Sequence, residues 1–81
     1  MKNNIQLRTI GKIVLGGEED TNFILIVDDL EVTGGYYIYL CKNIEMNDCY
    51  DGWVLDECEL KTNVADYTID WISNKELPTW I

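Results

Sequence analysis

The chain has 81 residues and a formal net charge of -9, with 15 acidic side chains, 6 basic side chains and no histidine. This length allows one thin core, so residues 1–81 are predicted to form a single acidic domain without the deep cleft that elaborate catalysis needs. The hydrophobic content of 47% excludes a disordered acidic tail, and the charge opposes binding to nucleic acid and to anionic membrane.

Three strands are predicted in the first half of the chain. Ile10–Leu15 is rich in β-branched residues and is followed by two glycines. Phe23–Val27 is apolar on both faces, which is typical of a central strand, and Tyr36–Cys41 combines aromatic and branched residues. The short connections between these strands contain glycine, and they predict an antiparallel meander.

The second half is predicted to contain a loop, two strands and a helix. Residues 42–52 form an acidic, turn-rich loop, after which Trp53–Val54 is a short fourth strand. Tyr67–Ile72 alternates between apolar and polar residues and predicts a last strand. The predicted fold class is therefore α+β, an antiparallel sheet of four to five strands, arranged as a meander, with one short helix packed on one face.

The helix is predicted to begin after Asp56, a residue type that is favoured as an N-cap. Glu57 and Glu59 fall in its first turn, where the helix dipole favours negative charge. Its apolar stripe is predicted to contain Cys58, Leu60, Val64 and Ala65. These acids therefore have a structural interpretation as well as a functional one.

The cysteines and the lack of histidine limit the chemistry of the chain. Cys41, Cys49 and Cys58 have no metal-ligand spacing, and they are predicted to be reduced thiols rather than a disulfide or a catalytic site. No histidine is present to act as a base, and no motif for a cofactor, a metal ion or phosphate is found. We predict that the protein is not an enzyme. The start of the chain lacks the apolar core of a secretory signal, which indicates a cytoplasmic location.

Both faces of the predicted sheet are largely apolar. One short helix can cover only one of them, so the other must be covered by the ends of the chain, including Trp80-Ile81, or by another chain. Tyr37 and Tyr39 lie on the same side of their strand, and tyrosine and tryptophan are preferred anchors of protein interfaces. Two interpretations are open, a face buried by the chain itself and a face that binds a partner.

The negative charge is concentrated in the middle of the chain. Between Glu18 and Glu59 there are twelve acids and one base, Lys42, whereas the first 17 residues carry a charge of +3. A solvated surface that keeps a small protein soluble is one explanation. The other is a surface that is complementary to a basic protein.

Two stretches, DDLEVTGGYYIYL at residues 28–40 and YDGWVLDECEL with DYTIDWI at residues 50–72, resemble small bacterial immunity proteins of polymorphic-toxin systems. The resemblance implies a protein that neutralises a cognate toxin, often a basic nuclease, by binding it in the cytoplasm. It implies no catalytic residues.

The leading hypothesis is thus an inhibitor that docks an acidic, aromatic-flanked surface on a basic protein, a toxin nuclease domain. Two alternatives are a phage-encoded DNA mimic that inhibits a host nuclease, and a homo-oligomeric structural or adaptor domain that forms a homodimer through its spare sheet face. The predicted partner-binding residues are Asp28, Asp29, Glu31, Tyr37, Tyr39, Glu45, Asp48, Asp51, Trp53, Asp56, Glu57 and Glu59.

Overall fold

The computed structural model describes residues 5–16, 21–72 and 75–80, and within these ranges it contains five strands and one helix. The elements are β1 (Ile10–Leu15), β2 (Phe23–Asp29), β3 (Gly35–Cys41), β4 (Cys49–Val54), α1 (Glu57–Val64) and β5 (Thr68–Ile72). The predicted α+β class is confirmed. No helix within the described ranges has the length and apolar character that crossing a bilayer requires.

The five strands form one antiparallel sheet in the order β4-β3-β2-β1-β5. Strands β1 to β4 follow one another as the predicted meander. The chain then crosses the sheet through α1 and adds β5 beside β1, at the opposite edge. This order places β2 in the centre, where Ile24, Leu25 and Ile26 are fully buried.

Each face of the sheet carries its own apolar layer. The helix-side layer contains Ile13, Ile24, Ile26, Ile38, Val54, Leu60 and Val64. The layer on the other side contains Ile10, Leu25, Val27, Cys41 and Met46, with Leu77 packed against it.

Two segments of the chain cover part of the face opposite α1. The loop of residues 42–48 inserts Met46, which is fully buried, and the C-terminal segment brings Leu77 and Trp80. Trp80 Nε1 donates a hydrogen bond to the Met46 carbonyl at 3.0 Å, which ties this segment to the loop. The predicted contribution of the tail to this face is therefore observed for Leu77 and Trp80, while Ile81 lies outside the described residues.

The loop predicted at residues 42–52 is shorter than expected, because Cys49–Gly52 belongs to β4. The β4 residues pair with β3 from Cys49 opposite Cys41 to Val54 opposite Tyr36. Asp51 and Gly52 are poor strand formers, but β4 is an edge strand, where such residues are tolerated. The hydrogen-bonded pairing of β4 with β3, a strand rich in β-forming residues, therefore outweighs the tendency of Asp51 and Gly52 to form a turn.

Cys41 and Cys49 are joined by a disulfide, so the prediction of reduced thiols is wrong for this pair. The two residues lie directly opposite each other in the β3–β4 register, on the same face of the sheet. Their separation by eight residues carries no recognisable signal in the sequence, because only the pairing of the strands brings them together. Cys58 is a free, exposed thiol.

Helix α1 begins as predicted and has a narrower apolar stripe than predicted. The N–H of Glu59 donates to the Asp56 carboxylate at 2.9 Å, so Asp56 is the N-cap. Of the four predicted stripe residues, only Leu60 and Val64 are buried. Cys58 and Ala65 are exposed, because this short helix packs only against β3 and β4.

Candidate protein-binding surface

Strand pairing assembles aromatic and acidic side chains on the face opposite α1. Tyr37 lies opposite Trp53, and Tyr39 lies opposite Asp51, in the β3–β4 register. Asp29, at the end of β2, faces the same side because it alternates with Leu25 and Val27. We call this set of residues, contributed by three adjacent strands, the aromatic–acidic face: Asp29, Tyr37, Tyr39, Asp51 and Trp53.

The two tyrosine rings of this face contact each other, and Tyr39 also contacts Trp80 of the C-terminal segment. The rings of Tyr37 and Tyr39 are stacked with centroids 6.0 Å apart, and Trp80 meets Tyr39 edge-on at 4.8 Å. Such pairs add about 0.5–1.5 kcal/mol beyond the area they bury. Both tyrosines are half-buried, so each is held in place while part of its ring remains open to a partner.

The pKa of Tyr39 is shifted by its position in this face. Burial raises the pKa of its phenol, and electrostatic interactions with Tyr37, Asp51 and Asp29 raise the pKa further. The phenol is therefore neutral at physiological pH and keeps its O–H as a hydrogen-bond donor.

This shift predicts a pH dependence of stability. The folded state disfavours the phenolate, so the contribution of Tyr39 is fully present below its unfolded pKa of about 10 and is lost as pH rises through the folded pKa. Urea unfolding between neutral pH and strongly alkaline pH is expected to show this loss, and Tyr39→Phe is expected to reduce it. Tyr50→Phe is the matched control for removal of a hydroxyl. Equal alkaline destabilisation of the wild type and Tyr39→Phe would contradict the assignment.

Trp53 is fixed in place by the turn between β2 and β3. Its Nε1 donates to the Thr33 hydroxyl at 2.8 Å, and its ring lies over Gly35. A Cβ atom at Gly35 would collide with this ring and with the Val54 carbonyl. Gly34 has a φ of 79°, a conformation that glycine adopts without strain. The sequence Thr33-Gly34-Gly35, which leads into β3, therefore forms the turn and holds Trp53 in position.

Gly35→Ala is expected to displace Trp53 and to destabilise the protein by about 1–3 kcal/mol, as overpacking typically does. Gly52→Ala is the matched control, because a Cβ atom at Gly52 meets nothing within 4 Å. Its effect is expected to stay within about 0.5 kcal/mol, as for most surface substitutions. Urea unfolding monitored by tryptophan fluorescence measures both. Similar losses of unfolding free energy in the two variants would show that the packing of Trp53 over Gly35 does not contribute to stability.

The remaining predicted acids are placed differently. Asp28 falls on the helix side of the sheet, because it alternates with Ile24 and Ile26. The others divide between the two ends of the sheet. Glu31 lies in the β2–β3 turn, and Asp56, Glu57 and Glu59 lie at the start of α1, which follows the same end of β4. Glu45 and Asp48 lie in the loop of residues 42–48, at the other end of β3. At about 3.4 Å per residue, the length of β3 separates the two groups by roughly 20 Å. Asp48 directly precedes β4 and lies about 10 Å along that strand from Asp51, so Glu45 and Asp48 lie beside the aromatic–acidic face and not within it.

Several of these acids already have partners within the fold. Asp28 accepts from Arg8 Nε at 3.0 Å, and Asp48 lies 3.4 Å from Lys42 Nζ. Exposed pairs of this kind contribute at most about 1 kcal/mol. Asp56 caps α1, and the Glu59 carboxylate accepts from the N–H of Leu55 at 3.4 Å.

Five other predicted acids have no ion pair with any residue in the described ranges, and their charge is available to a partner. They are Asp29, Glu31, Glu45, Asp51 and Glu57. Three more acids of the central stretch, Glu18, Glu19 and Asp20, lie outside the described residues.

The sequence analysis missed several residues at this surface. Leu30 and Val32 project from the β2–β3 turn with 56% and 84% of their surface exposed. Leu55, just beyond β4, is also exposed. The sequence does contain a signal for Leu30 and Val32, because apolar residues on both sides of Glu31 in a glycine-containing turn are expected to be exposed. Thr33 carried no such signal, because its role depends on Trp53, which lies 20 residues away.

The helix side of the sheet has a shallow groove of about 180 Å³ between α1 and the β3–β4 pair, lined in part by Leu40, Tyr50 and Tyr67. Drug-sized ligands occupy pockets of about 300–1,000 Å³. Among the residues that the structure describes, no group of three or more cysteine or acidic side chains could hold a metal ion. The aromatic–acidic face is therefore the strongest candidate surface.

Comparison of the chain with protein-family models, with curated proteins and with solved structures gave no match.

Proposed function

We propose that this protein is an immunity protein that binds and neutralises a basic toxin, a nuclease, through the aromatic–acidic face. The observation that carries the proposal is the combination on one rigid face of three aromatic rings with two carboxylates, Asp29 and Asp51, that have no ion pair in the described ranges. Aromatic residues at the centre of an interface supply most of its binding energy, and surrounding charge selects the partner.

The proposed mechanism is occlusion of the groove in which the nuclease binds its substrate. Such a groove is lined by lysine and arginine that bind phosphate groups. Asp29 and Asp51 would accept hydrogen bonds from these side chains in place of phosphate oxygens. Tyr37, Tyr39 and Trp53 would bury aromatic area against the walls of the groove and slow dissociation. Nucleic acid is then excluded both sterically and electrostatically.

The location proposed for this binding is the cytoplasm, where thiols are normally kept reduced. The aromatic–acidic face does not depend on the Cys41–Cys49 disulfide for its assembly. The pairs Tyr37–Trp53 and Tyr39–Asp51 belong to the β3–β4 ladder, and the Thr33–Trp53 hydrogen bond holds the end of this ladder that lies farthest from the disulfide.

The test is capture followed by an activity assay. The immobilised protein is incubated with a lysate of the native organism at low salt, and bound proteins are eluted with high salt. We expect a basic protein with nuclease activity, and we expect that activity to fall to zero when one equivalent of this chain is added. A captured nuclease that remains fully active in the complex, or a captured protein without nuclease activity, would refute the proposed function.

A further inference from the structure

The β2–β3 turn presents apolar side chains to solvent beside the aromatic–acidic face. Leu30 and Val32 flank Glu31 in this turn, and Leu55 follows β4 at the same end of the sheet, where Val54 pairs with Tyr36. Single exposed apolar residues are ordinary on protein surfaces. Three of them gathered at one end of a small domain require an explanation. We call Leu30, Val32 and Leu55 the apolar tip.

The backbone that carries this tip is held by several hydrogen bonds. The N–H groups of Thr33 and Gly34 both donate to the Asp29 carbonyl, at 3.1 and 3.0 Å. The Thr33 hydroxyl donates to the same carbonyl at 3.2 Å, and it accepts from the N–H of Gly35 at 3.3 Å. A turn ordered before binding loses little conformational entropy when it binds. The tip is therefore preorganised for insertion into a partner.

The tip is continuous with the aromatic–acidic face. Trp53 belongs to that face, and its indole N–H donates to Thr33 within the turn. Asp29 ends β2 on the same face and begins the turn. One partner that covers the face would therefore also meet the tip.

The charge around the tip determines the kind of partner. Glu31 lies between the two apolar residues of the turn, and Glu57 lies in the first turn of α1 directly after Leu55 and Asp56. Both are exposed, and neither has an ion pair within the described ranges. Arg8, at the same end of β2, already binds Asp28. A second copy of this chain would bring like charges together, whereas a basic partner would gain complementary contacts.

We propose that the apolar tip inserts into an apolar pocket that borders the basic groove of the nuclease. This inference rests on the proposed function, and it adds a second contact to the same interface. The aromatic–acidic face covers the groove, the tip fills the adjoining pocket, and Glu31 and Glu57 meet basic residues at the rim of the pocket. The tip would then determine which nuclease is recognised, since only a nuclease with a matching apolar pocket would accept it.

The experiment measures binding of the nuclease captured by the wild-type protein. The test variant is Leu30→Ser/Val32→Ser, which makes the tip polar without changing its charge. The matched control is Val14→Ser/Leu15→Ser, which alters two adjacent apolar residues that are 54% and 66% exposed near the end of β1. We expect the dissociation rate of the tip variant to rise about tenfold or more with an unchanged association rate. The control is expected to stay within about twofold of the wild type.

A second variant, Val32→Lys, places a positive charge against the basic rim and is expected to weaken binding more than the serine pair does. Wild-type affinity in both tip variants, together with weaker binding by Asp29→Asn/Asp51→Asn, would overturn the role of the tip and leave the proposed function standing. Failure of the wild-type protein to bind any nuclease would overturn both. Equal losses in the tip variant and its matched control would also overturn the inference.

Discussion

Trp53→Ala is expected to weaken the complex with the basic partner by about 30-fold or more. Aromatic hot spots cost 2 kcal/mol or more when truncated to alanine, and each 1.4 kcal/mol changes the dissociation constant about tenfold. Trp53 combines a fixed position with an accessible ring, as expected of such a residue. Its ring is seated over Gly35 and anchored to Thr33, and yet 43% of its surface is exposed for contact.

The matched control for this variant is Tyr50→Ala. Tyr50 is an exposed aromatic residue of the same strand, and it pairs with Leu40 on the helix side of the sheet. Its loss is expected to change the affinity less than about threefold, within the range of residues that contribute little to an interface. Isothermal titration calorimetry gives both affinities, and urea unfolding shows whether either variant has lost stability. A larger loss for Tyr50→Ala than for Trp53→Ala would place the interface on the helix side.

Asp29→Asn/Asp51→Asn is expected to lower the association rate constant by about tenfold at low salt. Electrostatic steering raises association rates by about 10- to 10³-fold, and these two carboxylates are the charges within the aromatic–acidic face. The difference from the wild type should vanish near 1 M salt, where the Debye length is about 3 Å. Stopped-flow measurements across a range of salt concentrations test both expectations.

Glu45→Gln/Asp48→Asn is the matched control for charge. It removes the same number of negative charges from the loop of residues 42–48, where Asp48 lies roughly 20 Å from Asp29 along β3 and about 10 Å from Asp51 along β4. These distances equal or exceed the Debye length of about 10 Å at 0.1 M salt, so we expect a smaller effect on association than for Asp29→Asn/Asp51→Asn. Equal effects of the two variants would show that net charge, and not the aromatic–acidic face, drives the encounter.

Self-association through the spare sheet face is a rival explanation for the exposed aromatic residues. Met46, Leu77 and Trp80 cover part of that face, which reduces the apolar area left for a second copy. The net charge of -9 also makes two copies repel each other. These two observations favour a basic partner of a different kind over a homodimer.

Local signals in the sequence were sufficient to predict much of this fold. Apolar runs and the glycines that follow or precede them predict the bounds of β1 and most of β2 and β3. Capping preferences predict the N-cap at Asp56. Strand alternation also predicted correctly that Tyr37 and Tyr39 share one face. Each of these features depends on residues that are close together in the chain.

The candidate surface was less predictable, because it depends on register between distant residues. The sequence alone placed Asp51 in a loop, whereas β4 carries it to a position opposite Tyr39. It could not separate Glu45 and Asp48 from the other acids, since all of them lie in one acidic stretch. It also could not reveal that Thr33 holds Trp53.

Composition and periodicity are enough to predict an acidic α+β domain with both sheet faces apolar, because each is read residue by residue. Three features arise from the tertiary structure instead: β5 pairs with β1, Cys41 bonds to Cys49, and Asp29 and Asp51 lie beside the aromatic rings. These outcomes depend on which strands become neighbours and in what register. The choice is made by burial and hydrogen bonding across the whole sheet, which no local stretch of sequence specifies.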